Sequence, residues 1–277
     1  MVVTKTASRA AVLIPLYKES MTKSEKFSFK NTLSVLSRHD IFVVCPKRLK
    51  NYITELKKEK LLNFNIEFFP DIFFSDIAGY NHLLTSVDFY RRFEGYEYIL
   101  IAQTDSLVFT DKLNQWCDRN YSYIGAPWFR GLTNPSKSLF FLGVGNGGFS
   151  LRKVPDFLMI LSSFGYHPPI NGKISIRLLE LPILLGFIRK SLKFSYSFPP
   201  VQLVLSEDIF WGRLAPARCD LFHVPRPLDA ISFAFEAAPE YLFELNESRL
   251  PFGCHAWQRY NPQFWRDTLR TIGMYLP

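Results

Sequence analysis

At 277 residues the chain is long enough to bury a substantial core, in one large domain or two small ones. Hydrophobic residues make up 48%, aromatic residues 16% and charged residues only 21%, a balance that excludes a disordered polypeptide. The net charge of +8 favours an anionic partner, whether nucleic acid, an acidic membrane surface or a phosphorylated small molecule, and does not choose among them.

The four cysteines, Cys45, Cys117, Cys219 and Cys254, lie far apart with no C-x-x-C pair. That spacing argues against a zinc site or a secreted disulfide scaffold and for a reducing compartment. Lys5 and Arg9 precede the apolar run Ala11–Leu16, but Pro15 interrupts it and no small-residue cleavage site follows, so the run reads as a first strand and not as a signal peptide. No uncharged run reaches the ~18 residues of a membrane span. A cytoplasmic protein is the expectation.

In chain order, Ala11–Lys18 is strand-like and ends in the polar Tyr17, Lys18 and Glu19. Ser24–Ser37 carries a helix-compatible apolar stripe, Ile41–Pro46 is a second buried strand, and Lys47–Lys60 is a basic amphipathic helix with Leu49, Ile53 and Leu56 on one face. Phe64–Phe69 alternates into a third strand. Asp76–Phe93 has Ile77, Tyr80, Leu83, Leu84, Val87 and Tyr90 at spacings of three and four, which predicts a helix. Then comes Tyr98–Phe109, whose apolar run Ile99–Ala102 suits a strand buried on both faces. Strands alternating with helices predict a doubly wound, Rossmann-like and mostly parallel sheet with helices on both faces.

The apolar run Ile99–Ala102 ends abruptly in Gln103-Thr104-Asp105. A carboxylate at the carboxyl end of a buried strand is costly unless paired, hydrated or bound to a cation, and that edge of an open α/β sheet is where ligands bind. Closing a turn or capping the helix near Asp111 is the plainer alternative.

Beyond Thr110 the pattern loosens. Tyr121–Trp128 reads as a strand leading into a loop. Leu139–Gly148 is a strand entering a glycine-rich turn, Phe149–Arg152 leaves it, and Lys153–Phe164 is a helix. Gly143-Val-Gly145-Asn-Gly147-Gly148 matches G-x-G-x-x-G in form, but an extended stretch follows it and no acid stands about 20 positions on, so the dinucleotide reading fails on context. Four glycines in six residues signify a hairpin or bulge with φ > 0, or backbone that must approach a ligand closely. Asn146 among them favours the ligand.

Ser206–Leu214 opens a helix with Ser206 at the N-cap and Glu207 and Asp208 in the first turn. Those acids either complement the helix dipole or supply a general base. The last stretch, Ile231–Trp257, holds short extended segments around His255, which is a buried core residue or a ligand for an ion such as Mn²⁺. Trp128 and Trp257 are core residues or sugar platforms. The basic, leucine-rich segment Lys173–Lys193 is a solvated or buried helix, an acceptor-phosphate patch or a peripheral contact with the inner face of a membrane.

The order of these features resembles the GT-A glycosyltransferases. More closely, QTDSLVF, YIGAPW, GNGGFSLR, SEDIFW and FGCHAW resemble a bacterial glycosyltransferase-like family catalogued as a domain of unknown function, over roughly residues 10–258. The resemblance implies one GT-A-like α/β domain, with a nucleotide-binding half (10–110) and an irregular acceptor-binding half (111–277). It implies a nucleotide-sugar donor such as a UDP- or GDP-sugar, a glycan or glycolipid acceptor, and a divalent cation, Mn²⁺ or Mg²⁺. By position, Gln103-Thr104-Asp105 stands where the family's Asp-x-Asp lies, with Gln103 replacing the first acid. Asp105 and His255 then hold the metal. Pro15, Tyr17, Asn81, Gln103, Thr104 and Asp105 bind the donor nucleotide. Trp128, Asn146, Gly147 and Gly148 line the sugar and acceptor. Asp208 is the base of an inverting reaction, with Glu207 beside it.

Three other classes stay open. A nucleotidyltransferase acting on sugar phosphates shares the sheet and the metal, but its glycine-rich loop is missing from PLYKESMTKSEK. A nucleic-acid-binding module would suit the charge, although no recognition helix, RRM or zinc pattern appears. A catalytically degenerate relative would explain Gln103.

Overall fold

The computed structural model describes residues 8–59, 62–131, 140–163 and 206–277. Its centre is a six-stranded sheet of β1 (Ala10–Pro15), β2 (Asp40–Pro46), β3 (Asn65–Phe69), β4 (Tyr98–Ala102), β6 (Tyr123–Ile124) and β9 (Phe149–Lys153). The order is β3-β2-β1-β4-β9-β6. The first four strands are parallel, and β9 runs antiparallel to both β4 and β6. The fold is thus mixed α/β with a mostly parallel central sheet, and the sheet extends past residue 110 to take in β9 and β6.

Alternation within β1 and β4 divides the core. Val12, Ile14, Leu100 and Ala102 pack on one face with Phe29, Leu33, Ile53 and Trp116. Ala11, Leu13, Ile99 and Ile101 pack on the other with Leu83, Tyr90, Phe157 and Trp211. The first face is covered by α1 (Lys23–Val35), α2 (Lys50–Lys57) and α5 (Leu113–Asp118). The second is covered by α3 (Ile77–Leu83), α4 (Val87–Arg91) and α6 (Val154–Ser163), joined by the helical stretch from Glu207 to Arg218. Every residue of β4 is buried, and each large apolar side chain so placed contributes ~1.5–3 kcal/mol.

Three departures from the expected elements are local. The single helix expected over 76–93 is two, α3 and α4, because Ser86 caps the second by accepting from the Phe89 N–H and Thr85 bonds back to the Asn81 carbonyl. The basic helix expected from Lys47 begins with a 3₁₀ turn, Lys47–Leu49, before α2. The capping box of α1, Thr22 with Glu25, lies two residues ahead of the expected start.

Two small sheets sit at the carboxyl edge of the main one. β7 (Ala126–Phe129) pairs with β8 (Phe141–Gly145). β5 (Leu107–Val108) pairs antiparallel with β11 (Gly253–Cys254), which runs parallel to β10 (Ala234–Phe235). The second of these ties the end of the chain to the loop that follows β4. Since β1 has β2 on one side and β4 on the other, the chain order reverses there, the switch point at whose carboxyl end open α/β sheets bind ligands.

Candidate functional site at the carboxyl edge of the sheet

The site starts where β4 stops. The Gln103 N–H donates to the Gly148 carbonyl at 2.8 Å, and the Ser106 hydroxyl donates to the same oxygen at 3.0 Å. A turn closes between them, with the Ser106 N–H on the Gln103 carbonyl. Asp105 rides on this turn with its side chain 39% exposed, so its carboxylate keeps access to solvent at the end of a buried strand.

His255 follows β11, and pairing of Cys254 with Leu107 brings it to Asp105 from the far end of the chain. Its Nε2 stands 3.2 Å from Asp105 Oδ1, and its Nδ1 stands 2.9 Å from Glu236 Oε1. Burial works against a charged imidazole, but Asp105 and Glu236 outweigh it and push the pKa up to about 10. Burial likewise works against the Asp105 carboxylate, and His255 outweighs it, so that pKa falls.

Once the proton on Nε2 is displaced, this arrangement fits a divalent cation. Nε2 is buried and makes no well-aligned hydrogen bond, although a carboxylate oxygen lies beside it. Two donors bound to one ion at ~2.1 Å and at right angles lie about 3 Å apart, close to the separation found. Glu236 on Nδ1 is the outer carboxylate that orients a ligating histidine. Among the described residues no group of three or more His, Cys, Asp or Glu side chains is placed to hold an ion. Protein atoms would therefore supply two positions, leaving the rest to substrate oxygens and water.

The glycine-rich turn is not a hairpin, because β8 and β9 belong to different sheets. Its left-handed residue is Asn146, with φ 87°, whose Oδ1 accepts from the N–H groups of Gly148 and Phe149. The next two glycines answer to crowding. A Cβ on Gly147 would lie 2.2 Å from Glu207 Oε1, and one on Gly148 would lie 2.1 Å from His255 Nε2. The turn thus touches both the metal-type pair and the acidic pair.

Glu207 is not the exposed first-turn acid that a dipole role would suit. It is 3% exposed and bonded to Arg152, itself 0% exposed, with Arg152 Nη2 2.9 Å from Glu207 Oε1. Ser206 occupies the N-cap without a side-chain cap bond, and Asp208 stands half-buried beside Glu207. Burial penalises both members of the pair. On Arg152, Glu207 outweighs the penalty and the pKa rises; on Glu207, burial outweighs Arg152 and pushes the carboxyl up to about 7. The guanidinium keeps its charge at any accessible pH, so the pair titrates at Glu207.

That shift sets a pH dependence. With its folded pKa above its unfolded one, Glu207 binds a proton on folding between about pH 4.3 and 7. Its contribution is complete below the unfolded pKa and is lost as pH rises through about 7. Melting curves across this window should show wild-type stability falling with pH more steeply than in Glu207→Gln, which has no proton to lose there. Equal slopes would remove the assignment.

On the nucleotide side, Pro15 is buried at the end of β1 and Tyr17 is 50% exposed, with its carbonyl accepting from Arg48. Gln103 Nε2 donates to the Tyr80 hydroxyl at 3.3 Å, Thr104 is buried, and Asn81 Oδ1 accepts from the Glu207 N–H at 3.4 Å. A connected set results: Tyr80 with Gln103, Gln103 with Gly148, Gly148 with His255, His255 with Asp105, Asn81 with Glu207, and Glu207 with Gly147. Trp128 stands apart from it, 8% exposed and packed on the backbone of Gly145. Trp257 is a core residue, 3% exposed and donating to Ser28 Oγ.

Two residues of the site are not placed by sequence: Arg152, which with Lys18 and Arg130 is only a candidate source of positive charge, and Glu236, which has no assigned role. Each has a faint signal, as a charged residue inside an otherwise apolar stretch, FSLR and FAFEAA. The segment Lys173–Lys193 lies outside the described residues. All four cysteines are free, and no helix among the described residues is long and apolar enough to cross a membrane.

The fold has solved counterparts. Mouse xyloside xylosyltransferase 1 superposes with a TM-score of 0.52 at 13% identity, over 88% of this chain and 96% of that one. Core-mannan synthase A from Aspergillus fumigatus, in an Mn/GDP form, gives a TM-score of 0.36 at 12% identity, over 56% of this chain and 63% of that one. At 13% identity the likeness to the xylosyltransferase is one of fold, a mixed α/β architecture of GT-A-like form. No curated protein sequence matches the chain. Residues 63–255, which carry Gln103-Thr104-Asp105, the glycine turn, Glu207-Asp208 and His255, match the profile of the family described as "Protein of unknown function (DUF5672)", and the chain belongs to that family.

Proposed function

We propose that the protein is a GT-A-type glycosyltransferase that moves a sugar from a nucleotide-sugar donor to a hydroxyl of a glycan or glycolipid, with inversion. The observation that carries this reading is the meeting of Asp105 and His255, remote in sequence, at the carboxyl end of β4 beside the switch point of the sheet. Asp105 and His255 would hold Mn²⁺ or Mg²⁺ there, with Glu236 orienting the imidazole. When bound, the cation neutralises the charge that develops on the departing nucleoside diphosphate.

The chain's own groups do the rest. Pro15 and Tyr17 at the end of β1, with Asn81, Gln103 and Thr104, face the nucleotide. Asn146, Gly147 and Gly148 border the transferred sugar, where side chains beyond hydrogen would collide with Glu207 and His255. Asp208 takes the proton of the acceptor hydroxyl as its oxygen bonds the anomeric carbon and the bond to the diphosphate breaks. Glu207, buried beside it, orients the hydroxyls.

Titrating UDP- and GDP-sugars with and without Mn²⁺ tests the proposal. Tighter binding of one donor when Mn²⁺ is present supports it; no binding of any donor under either condition overturns it.

A further inference from the structure

Arg152 is among the largest fully buried side chains of the protein. Each of its guanidinium nitrogens has a partner: Nε donates to Ser150 Oγ at 3.1 Å, Nη1 to the Tyr90 hydroxyl at 3.0 Å and Nη2 to Glu207 Oε1 at 2.9 Å. Tyr90 is fixed in turn by donating to the Leu84 carbonyl at 2.9 Å, an oxygen it shares with Trp211 Nε1. The rings of Tyr123 and Phe157 flank the guanidinium. Stability alone does not account for such an arrangement, since a buried ion pair is often no better than apolar residues of the same size.

What the arrangement achieves is the placement of one carboxylate. Arg–carboxylate pairs frequently engage both carboxylate oxygens in a fork. Here Arg152 meets only Oε1, and Oε2 is buried with no hydrogen-bond partner. Two amide donors of the same neighbourhood are orphaned as well. Asn81 Nδ2 belongs to the side chain whose oxygen accepts from the Glu207 N–H, and Asn146 Nδ2 adjoins Gly147, the residue pressed against Glu207. An acceptor and two donors without partners are what a pair of sugar hydroxyls would satisfy, because each hydroxyl both donates and accepts.

We infer that Arg152 is a positioning residue, which fixes Glu207 through Oε1 so that Oε2 accepts a hydrogen bond from a hydroxyl of a sugar seated against Gly147. The inference rests on the glycosyltransferase reading and extends it to a residue outside the contact surface. The other ionisable groups facing Glu207 are Asp208 on its own helix, Tyr80 on α3, Tyr90 on α4 and Tyr123 on β6.

The test compares Arg152→Lys, Arg152→Met, Glu207→Gln and the Arg152→Met/Glu207→Gln double variant in melting temperature and in the pH profile of nucleoside diphosphate release from UDP- and GDP-sugars with Mn²⁺. Arg152→Met should lower kcat/KM by about 10²-fold, the usual effect of a displaced group near the chemistry. It should also move the acidic limb of the profile to higher pH, because the cation favouring ionised Glu207 is gone. Arg152→Lys should keep the limb in place and recover much of the rate, and Glu207→Gln should lose the limb. The double variant, with no lone buried charge, should regain the melting temperature that Arg152→Met loses without regaining turnover. If Arg152→Met does not fold, the lysine and double variants carry the same comparison. An active wild type whose Arg152 variants keep both rate and profile overturns this inference alone. A wild type that turns over no donor overturns the glycosyltransferase reading and the inference with it.

Discussion

Asp208→Asn is expected to leave donor binding nearly intact and to reduce turnover by about 10²–10⁴-fold, the range for removing a general acid–base group. On the proposed reading the donor would meet the other end of the site, at Asp105, Gln103 and the end of β1, so an amide at position 208 would leave those contacts in place. Only proton removal from the acceptor hydroxyl is lost. Glu207→Gln should behave differently. Its carboxylate orients hydroxyls and takes no proton, so the amide should lower the rate by less, and because burial already favours the neutral carboxyl the melting temperature at neutral pH should not fall. Two acids serving only the helix dipole would instead each be worth under ~1 kcal/mol and leave chemistry untouched. Donor affinity, turnover and melting temperature on the two variants separate these outcomes. Full activity in Asp208→Asn would end the base assignment, and a retaining product with Glu207 indispensable would move the mechanism to another class.

The sheet was legible because its signals are local. Continuous apolar runs at Ala11–Pro15, Ile41–Pro46 and Ile99–Ala102, with helical stripes between them, leave few topologies. The break between α3 and α4 was not legible, since Leu83, Leu84 and Val87 hold the helical spacing across it. A Ser86 hydroxyl on one N–H and a Thr85 hydroxyl on one carbonyl decided against that spacing. At the site, the residue types at the carboxyl edge could be named from sequence, but their partners could not. Glu207 is indistinguishable in sequence from a solvated first-turn acid, and only the arrival of β9 beside β4 places Arg152 under it. The glycines are another case. Composition suggests positive φ, whereas Asn146 takes the left-handed position and the glycines are small because Glu207 and His255 crowd them. That crowding comes from segments far along the chain, which a local reading does not see.

Asp105→Asn should abolish the metal dependence of donor binding. The substitution keeps an oxygen in place but removes its charge, at a site where, on the proposed reading, Gln103 stands in for the other acid of the motif and one carboxylate would face the ion. The loss in Mn²⁺ affinity should exceed the ~10–100-fold typical of losing an outer partner. Glu236→Gln supplies that milder comparison, because Glu236 reaches the ion only by holding His255 Nδ1 at 2.9 Å. His255→Ala should resemble Asp105→Asn in affinity and exceed Glu236→Gln. Mn²⁺ binding followed by electron paramagnetic resonance, with and without UDP or GDP, measures all three without needing an acceptor. The nucleoside diphosphate should tighten Mn²⁺ binding to the wild type, since its oxygens would fill positions that the two protein donors leave open, and should do so far less in Asp105→Asn. Equal Mn²⁺ affinity in wild type and Asp105→Asn would remove Asp105 from the site. A graded loss, small for Glu236→Gln and large for Asp105→Asn and His255→Ala, is what a two-ligand site with one outer carboxylate requires.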